Sequence, residues 1–331
     1  MSRSAIIAGT GSFAPEKVLD NEYFNELLGE NVDQWLKPMN YIERHICSEN
    51  ESTADLAVAA AERALNSSEV KATEVDLIIV ATDTPEYISP ATGSVVQHRL
   101  GAINSANYDI NCACAAFCTG VDLGARYIMT DPAYCNVLVI GVYAMSKYLD
   151  WKDKATCTIF ADGAGAVLLQ ASETKQGFLG GKLIADGSYH DYMGIYMGGT
   201  KTPPSHEAME RGEHYVRFLK KFPPDTNSSR WPGLVRDVTK KCGFDVTDID
   251  FILFTQINVN TIKEVMEELG LPLTRTHWVM HKYGYTGSAC IPMALDDAVK
   301  SGGLKDGDLV CFVGSGGGFS MATVLLRWAR E

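Results

Sequence analysis

No apolar run in this 331-residue chain reaches the roughly 18 residues that a membrane-spanning helix needs. The opening Met1-Ser2-Arg3-Ser4 lacks the apolar core of a signal peptide. Basic residues are outnumbered, 29 against 41 acidic, for a net charge of −12. Nucleic acid is therefore excluded as a partner, because phosphate binding needs a basic face. Linkers, low-complexity tracts and composition shifts are missing too, so nothing marks off an independent domain. The nine cysteines are odd in number and mostly lie inside apolar runs, which speaks for reduced thiols in a cytoplasmic protein. Cys112, Cys114 and Cys118 have no fourth ligand spaced to close a tetrahedron, so no metal is expected. Gly9-Thr10-Gly11-Ser12 imitates a dinucleotide fingerprint, but Pro15 follows where the helix should begin. No cofactor is expected.

What is present is ordinary globular composition, 46% hydrophobic and 21% charged, with length enough for a large core. The chain also repeats itself. Val75-Asp76-Leu77-Ile78-Ile79-Val80-Ala81-Thr82 resembles Ile249-Asp250-Phe251-Ile252-Leu253-Phe254-Thr255, and the run from Asn136 to Gly141 resembles that from Asp308 to Gly314. The two repeats are offset by nearly the same distance, which implies two copies of one α/β unit, residues 1–173 and 174–331. Patterning predicts helices over 53–66, 91–100, 114–130, 206–221, 259–269 and 287–301. Strands are predicted over 4–9, 75–82, 136–143, 157–169, 249–255, 308–313 and 319–327. Near-continuous apolar strands imply sheets covered on both faces, hence αβαβα layers around a shared helical centre.

The chemistry concentrates in Tyr108-Asp109-Ile110-Asn111-Cys112-Ala113-Cys114-Ala115-Ala116-Phe117, a short strand that turns into a helix. A cysteine at a helix N-terminus meets N–H groups and a dipole that favour negative charge, which is expected to lower its pKa and make it a nucleophile. Gly316-Gly317-Gly318-Phe319 offers bare backbone that can donate N–H groups to an oxyanion. Together they suggest thioester chemistry.

With Phe160-Ala161-Asp162-Gly163-Ala164-Gly165-Ala166, Lys282-Tyr283-Gly284 and Pro292-Met293-Ala294-Leu295-Asp296, these motifs form a collinear set. Over its whole length the chain resembles the β-ketoacyl-acyl carrier protein synthase III branch of the thiolase superfamily. The resemblance implies a homodimer, an acyl-coenzyme A (acyl-CoA) donor, Cys114 as nucleophile, and Gly317 as the second donor of the oxyanion hole. It implies that Trp35 stacks on adenine, with Lys154 in place of the family's opposing arginine. Gln256, Asn258 and Phe319 are expected on the substrate side.

The chain departs from that pattern where decarboxylation is catalysed. The family's histidine position holds Thr255, in Thr255-Gln256-Ile257-Asn258, and its asparagine position holds Tyr285. A threonine hydroxyl is no base near neutral pH. His281, expected on a strand before Tyr285, and His190, near the family's tunnel, are candidates for a relocated base. Glu267 and Glu268 replace a basic pair that holds acidic acyl carrier protein, and Asn260 replaces an arginine, so repulsion favours a coenzyme A thioester over a carrier. Arg217, Lys220 and Lys221 are expected to form one basic helix face. The leading expectation is acyl transfer through Cys114 to a carbon, oxygen or nitrogen acceptor. Decarboxylative 3-oxoacyl synthesis and a non-catalytic subunit of a heterodimeric condensing enzyme are the alternatives.

Overall fold

The structure is a computed structural model that describes residues 3–329. Met1 and Ser2, part of the stretch read for a leader, lie outside the described residues, as do Arg330 and Glu331. In the N-terminal part the main elements are β1 (Ser4–Phe13), α1 (Thr53–Ser67), β2 (Leu77–Ala81), α2 (Thr92–Leu100), β3 (Ala106–Ile110), α3 (Ala116–Thr130), β4 (Asn136–Ala144) and β5 (Asp162–Ser172). There follow β6 (Gly177–Ala185), α4 (Trp231–Cys242), β7 (Phe251–Phe254), α5 (Val259–Glu268), α6 (Cys290–Lys300), β8 (Leu309–Gly316) and β9 (Ser320–Arg327).

The first sheet has the order β1-β5-β4-β2-β3, with β2 parallel to both β3 and β4. The second has the order β7-β8-β9-β6, with β7 parallel to β8. Helices α3 and α6 pack between the sheets, α1 and α2 cover the outside of the first, and α4 covers the second. The result is the layered α/β arrangement expected from the sequence. The repeat has a physical basis in the strand pairs. Asp76 accepts the N–H of Asn136 at 2.8 Å, and Asp250 accepts that of Leu309 at 2.9 Å. Each carboxylate thus fixes the register of one parallel pair, β2–β4 or β7–β8.

Burial drives the sheet assembly. Strands β2, β4 and β7 are almost wholly enclosed, with Ile79, Val139, Leu253 and Phe254 fully shielded. Apolar side chains on both faces leave no stable alternative to a two-sided cover.

Several expected elements differ. The predicted helix over 206–221 ends after one turn, His206–Glu210, because Gly212 takes a left-handed φ of 69°. The chain then runs into a two-residue strand, Arg217–Phe218, paired with Met193–Gly194. The basic helix face of Arg217, Lys220 and Lys221 therefore does not exist. Arg217 donates to the carbonyl of Arg211, and Lys220 pairs with Asp191 at 2.6 Å. The strand predicted over 157–169 starts only at Asp162, since Asp153 caps a short helix, Lys154–Cys157, before it. His281 lies in a helical turn, Met280–Tyr283, not on a strand. Strand β6 and helix α4 had no counterpart in the sequence reading.

Candidate active site

Strand β3 ends at Ile110, and a 3₁₀ turn, Ala113–Ala115, carries Cys114 into α3. The turn is tight enough that Ala113 adopts φ 48°, a left-handed conformation that costs a residue with a side chain. Asn111 holds it by accepting the Ala113 N–H at 3.1 Å. Gly316 closes against this turn from β8. A Cβ there would lie 2.5 Å from the Cys112 carbonyl oxygen and 2.7 Å from the Cys114 nitrogen, so only glycine fits. Gly318 follows with φ 69°, swinging the chain past the cysteine. Two backbone segments, at Cys114 and at Gly316–Gly318, thereby meet at one point, as an oxyanion hole requires.

Cys114 is buried, and its Sγ accepts a hydrogen bond of 2.6 Å from the Tyr285 hydroxyl. Tyr285 is held in place by backbone bonds to Ile159 and Ala161, and its ring lies 5.6 Å from that of Phe160. Burial, and then the neighbouring Cys114, raise the Tyr285 pKa far above the ordinary phenol, so it stays a donor. The cysteine itself differs from expectation. Burial, followed by the negative charge of Asp83, pushes its thiol well above the ordinary value, and the Tyr285 hydrogen bond only partly offsets this. The helix terminus does not outweigh desolvation here. At rest the Cys114 side chain is therefore a neutral thiol.

A cavity of about 570 Å³ opens onto Cys114. Of the residues singled out in the sequence, Cys114, Gly317, Thr255, Tyr285, Asn258 and Phe319 line it. Thr255 is tied down: its Oγ accepts the Ser315 N–H at 2.9 Å and so anchors the start of the glycine turn. Asn258 caps α5 by accepting the Asn260 N–H. Phe319 stacks on Tyr189 at 4.7 Å, with the Arg230 guanidinium 4.2 Å over its ring.

The structure does not bring the others to the cavity wall. Gln256 is fully buried behind it, donating to the carbonyls of Phe254 and His277 and accepting the Val279 N–H. His281 sits outside the lining, with desolvation lowering its pKa. His190 is exposed after the turn Gly187–Tyr189. Trp35 and Lys154 adjoin each other, the ammonium 5.4 Å from the ring centre, but Lys154 is also paired with Glu30 at 2.9 Å. Glu268, expected to repel a carrier, is paired with Arg236.

Two features of the lining escaped the sequence reading. Pro223 and Pro224, just past the end of the helix predicted over 206–221, form part of the wall. Asp83 also faces the cavity, just beyond the carboxyl end of β2. The one available signal was its place after a buried parallel strand, where α/β proteins build their sites.

Comparison with known proteins matches this architecture. Residues 108–187 match the family described as 3-oxoacyl-[acyl-carrier-protein (ACP)] synthase III, and residues 239–328 match the C-terminal part of the same family. The chain is 36% identical to the β-ketoacyl-[acyl-carrier-protein] synthase III of Caldanaerobacter subterraneus subsp. tengcongensis, over 99% of this chain and 98% of that one. The crystal structure of 3-oxoacyl-[acyl-carrier-protein] synthase III from Aquifex aeolicus superposes with a TM-score of 0.88 at 32% identity, covering 98% of this chain and all of the other. The priming β-ketosynthase of the R1128 polyketide pathway shares the fold, with a TM-score of 0.90 over 100% of this chain and 98% of that one, at 24% identity.

Proposed function

This chain belongs to the 3-oxoacyl-[acyl-carrier-protein] synthase III family, and from that membership we propose that it is an acyltransferase working through an acyl-Cys114 intermediate. The observation that carries the reading is the Tyr285 hydroxyl, 2.6 Å from Cys114 Sγ inside a cavity closed by the Gly316–Gly318 turn. Cys114 attacks an acyl-CoA thioester, and the tetrahedral oxyanion is stabilised by the N–H groups of Cys114 and Gly317. Coenzyme A leaves. Tyr285 then donates to the thiolate that departs when the acyl group passes to the acceptor.

The same reading treats the chain as a homodimer of subunits with two halves, 1–173 and 174–331, the first carrying the nucleophile. Trp35 and Lys154 are the proposed contacts for the donor's adenine end, with Lys154 released from Glu30 on binding. Asn258 and Phe319 shape the acyl and acceptor side. Gln256 acts indirectly, by holding the loop that carries Thr255.

Relatives of this chain are named as 3-oxoacyl synthases, which keeps decarboxylative condensation as the second reading. What weighs against it is the fate of the two replaced positions. The Thr255 hydroxyl accepts the Ser315 N–H and donates to the Ser315 carbonyl at 3.4 Å, and the Tyr285 hydroxyl donates to Cys114. Neither is free to hold a carbanion.

The test follows coenzyme A release from acyl-CoA thioesters by the wild type and by Cys114→Ala, with carbon dioxide release from malonyl-CoA measured in parallel. Release that depends on Cys114, without carbon dioxide, is expected. Equal release by Cys114→Ala, or steady decarboxylation, contradicts the reading. An inert wild type favours the subunit reading instead.

A further inference from the structure

Strands β2 and β3 are parallel neighbours, with Ala81 opposite Ile110, and both run toward the cavity. Cys114 follows one strand end and Asp83 the other. Asp83 is held in place by its neighbours. The Thr82 N–H bonds to the Ile110 carbonyl at 3.1 Å, and the Thr82 Oγ accepts the Thr84 N–H at 3.0 Å. Thr84 in turn accepts the Ala144 N–H at 2.9 Å, while Thr53 donates to its carbonyl at 2.6 Å. Both threonines are buried, so the turn carrying Asp83 is rigid. The Asp83 residue keeps partial access through the cavity, yet its Oδ1 is shielded and, among the described residues, no group hydrogen-bonds to it. An unmatched buried carboxylate oxygen is expensive, and such cost is retained where a ligand or reaction uses the group.

We propose that the Asp83 carboxylate is the proton acceptor of the Cys114 site, and that the acyl acceptor is accordingly a hydroxyl or amine rather than a malonyl thioester. The proposal rests on Cys114 as the acyl carrier. In the first half-reaction the Cys114 sulfur bonds to the thioester carbonyl carbon and its proton passes to Asp83. The carbon–sulfur bond to coenzyme A breaks, and Asp83 returns the proton to the departing thiolate. In the second, Asp83 takes the proton from the acceptor O–H or N–H as the acceptor's lone pair forms the new bond to carbon. The Cys114–acyl bond breaks, the thiolate leaves against the Tyr285 hydroxyl, and Asp83 hands the proton back. Atoms and charge balance without a further reactant.

Position and charge both favour this role. Asp83 and Cys114 line one cavity, and Asp83 is close enough for its charge to act on the thiol. The titratable groups that feel its charge are Cys112, Cys114, Tyr143 and Tyr148, all with pKa values raised chiefly by burial and hence neutral near pH 7. Burial also raises Asp83 itself to about 6, offset only by its own N–H, so at neutral pH it is an ionised base of useful strength. A second carboxylate in the same pocket, as on a malonyl group, meets repulsion from it.

The experiment loads the wild type, Asp83→Asn and Asp83→Glu with hexanoyl-CoA and follows the acyl-enzyme by intact-protein mass. Discharge is then measured into water, which needs a base, and into hydroxylamine, which does not. In Asp83→Asn, discharge into water is expected to slow by about 100-fold or more, the size of a general-base contribution. Discharge into hydroxylamine stays unchanged, and Asp83→Glu recovers part of the loss. Wild-type discharge into water rises with pH through about 6, following the Asp83 carboxyl, and the rise is absent in Asp83→Asn. Failure of Asp83→Asn to load at all, with Asp83→Glu loading, also supports the role. Wild-type discharge rates and pH profile in Asp83→Asn overturn the Asp83 role while leaving Cys114 as acyl carrier. No acyl-enzyme even in the wild type overturns both readings.

Discussion

Replacing Asp83 with asparagine should make the protein more stable, and the gain should grow with pH. Burial lifts the Asp83 carboxyl from the ordinary 3.8 to about 6. Between these values the folded protein holds a proton that the unfolded chain has lost, so stability falls as pH rises through that window. Below it both states are protonated and no penalty exists; above about 6 the penalty is complete. Two pKa units at ~1.4 kcal/mol each give about 3 kcal/mol near neutral pH, and roughly half of that near pH 5. Asparagine has nearly the same shape and no charge to desolvate, so it escapes this cost. The assay is urea unfolding of both proteins at pH 5, 6, 7 and 8, compared as midpoints at constant slope. The reasoning predicts a gap that opens from pH 5 to 7 and then levels off. A variant less stable than the wild type at every pH, or a gap independent of pH, refutes the picture of a strained buried carboxylate. A variant that is slower but tougher is the pattern expected where a site stores its cost locally.

Three further outcomes follow from the geometry. Tyr285→Phe removes the side-chain hydroxyl that donates to Cys114 Sγ; a hydrogen bond to a charged group contributes about 1.5–3 kcal/mol, so stopped-flow acylation should slow roughly 10- to 150-fold with folding intact. Gly316→Ala drives a methyl into the Cys112 carbonyl and the Cys114 nitrogen; acyl-enzyme formation should collapse, whereas Gly233→Ala, where a Cβ meets nothing, should acylate normally. Gln256→Ala strands buried partners at Phe254, His277 and Val279; calorimetry should show a loss of about 2–4 kcal/mol, at about 1–3 kcal/mol per orphaned group with partial relaxation. A change confined to KM, with stability unaltered, contradicts this structural role.

The layered fold was readable because its signals are local and periodic. Buried strands such as Leu77–Ala81 and Phe251–Phe254 announce themselves as short apolar runs, and the Asp76/Asp250 repeat reflects one register lock used twice. Strand β6 was missed because Gly177, Gly180 and Gly181 dilute its apolar pattern, and its partner β9 supplies the order. The helix expected over 206–221 failed because its apolar residues Val216 and Phe218 instead serve the cavity wall, Phe218 from a two-residue strand. In the site, Cys114 and the glycine turn were legible from motif alone. Asp83 was not, since Ala-Thr-Asp-Thr-Pro reads as ordinary turn chemistry until β2 and β3 are set side by side. The thiol's raised pKa is likewise a tertiary property: the dipole is local, but the burial that overrides it exists only once the chain has packed around Cys114.

The most direct measurement is the mass of the intact protein, and then of the peptide bearing Cys114, after incubation with a panel of acyl-CoA thioesters. The account predicts one acyl increment per chain, located on Cys114, lost on treatment with hydroxylamine and absent from Cys114→Ala. An increment on another residue, or none with any thioester while the protein remains folded, contradicts it.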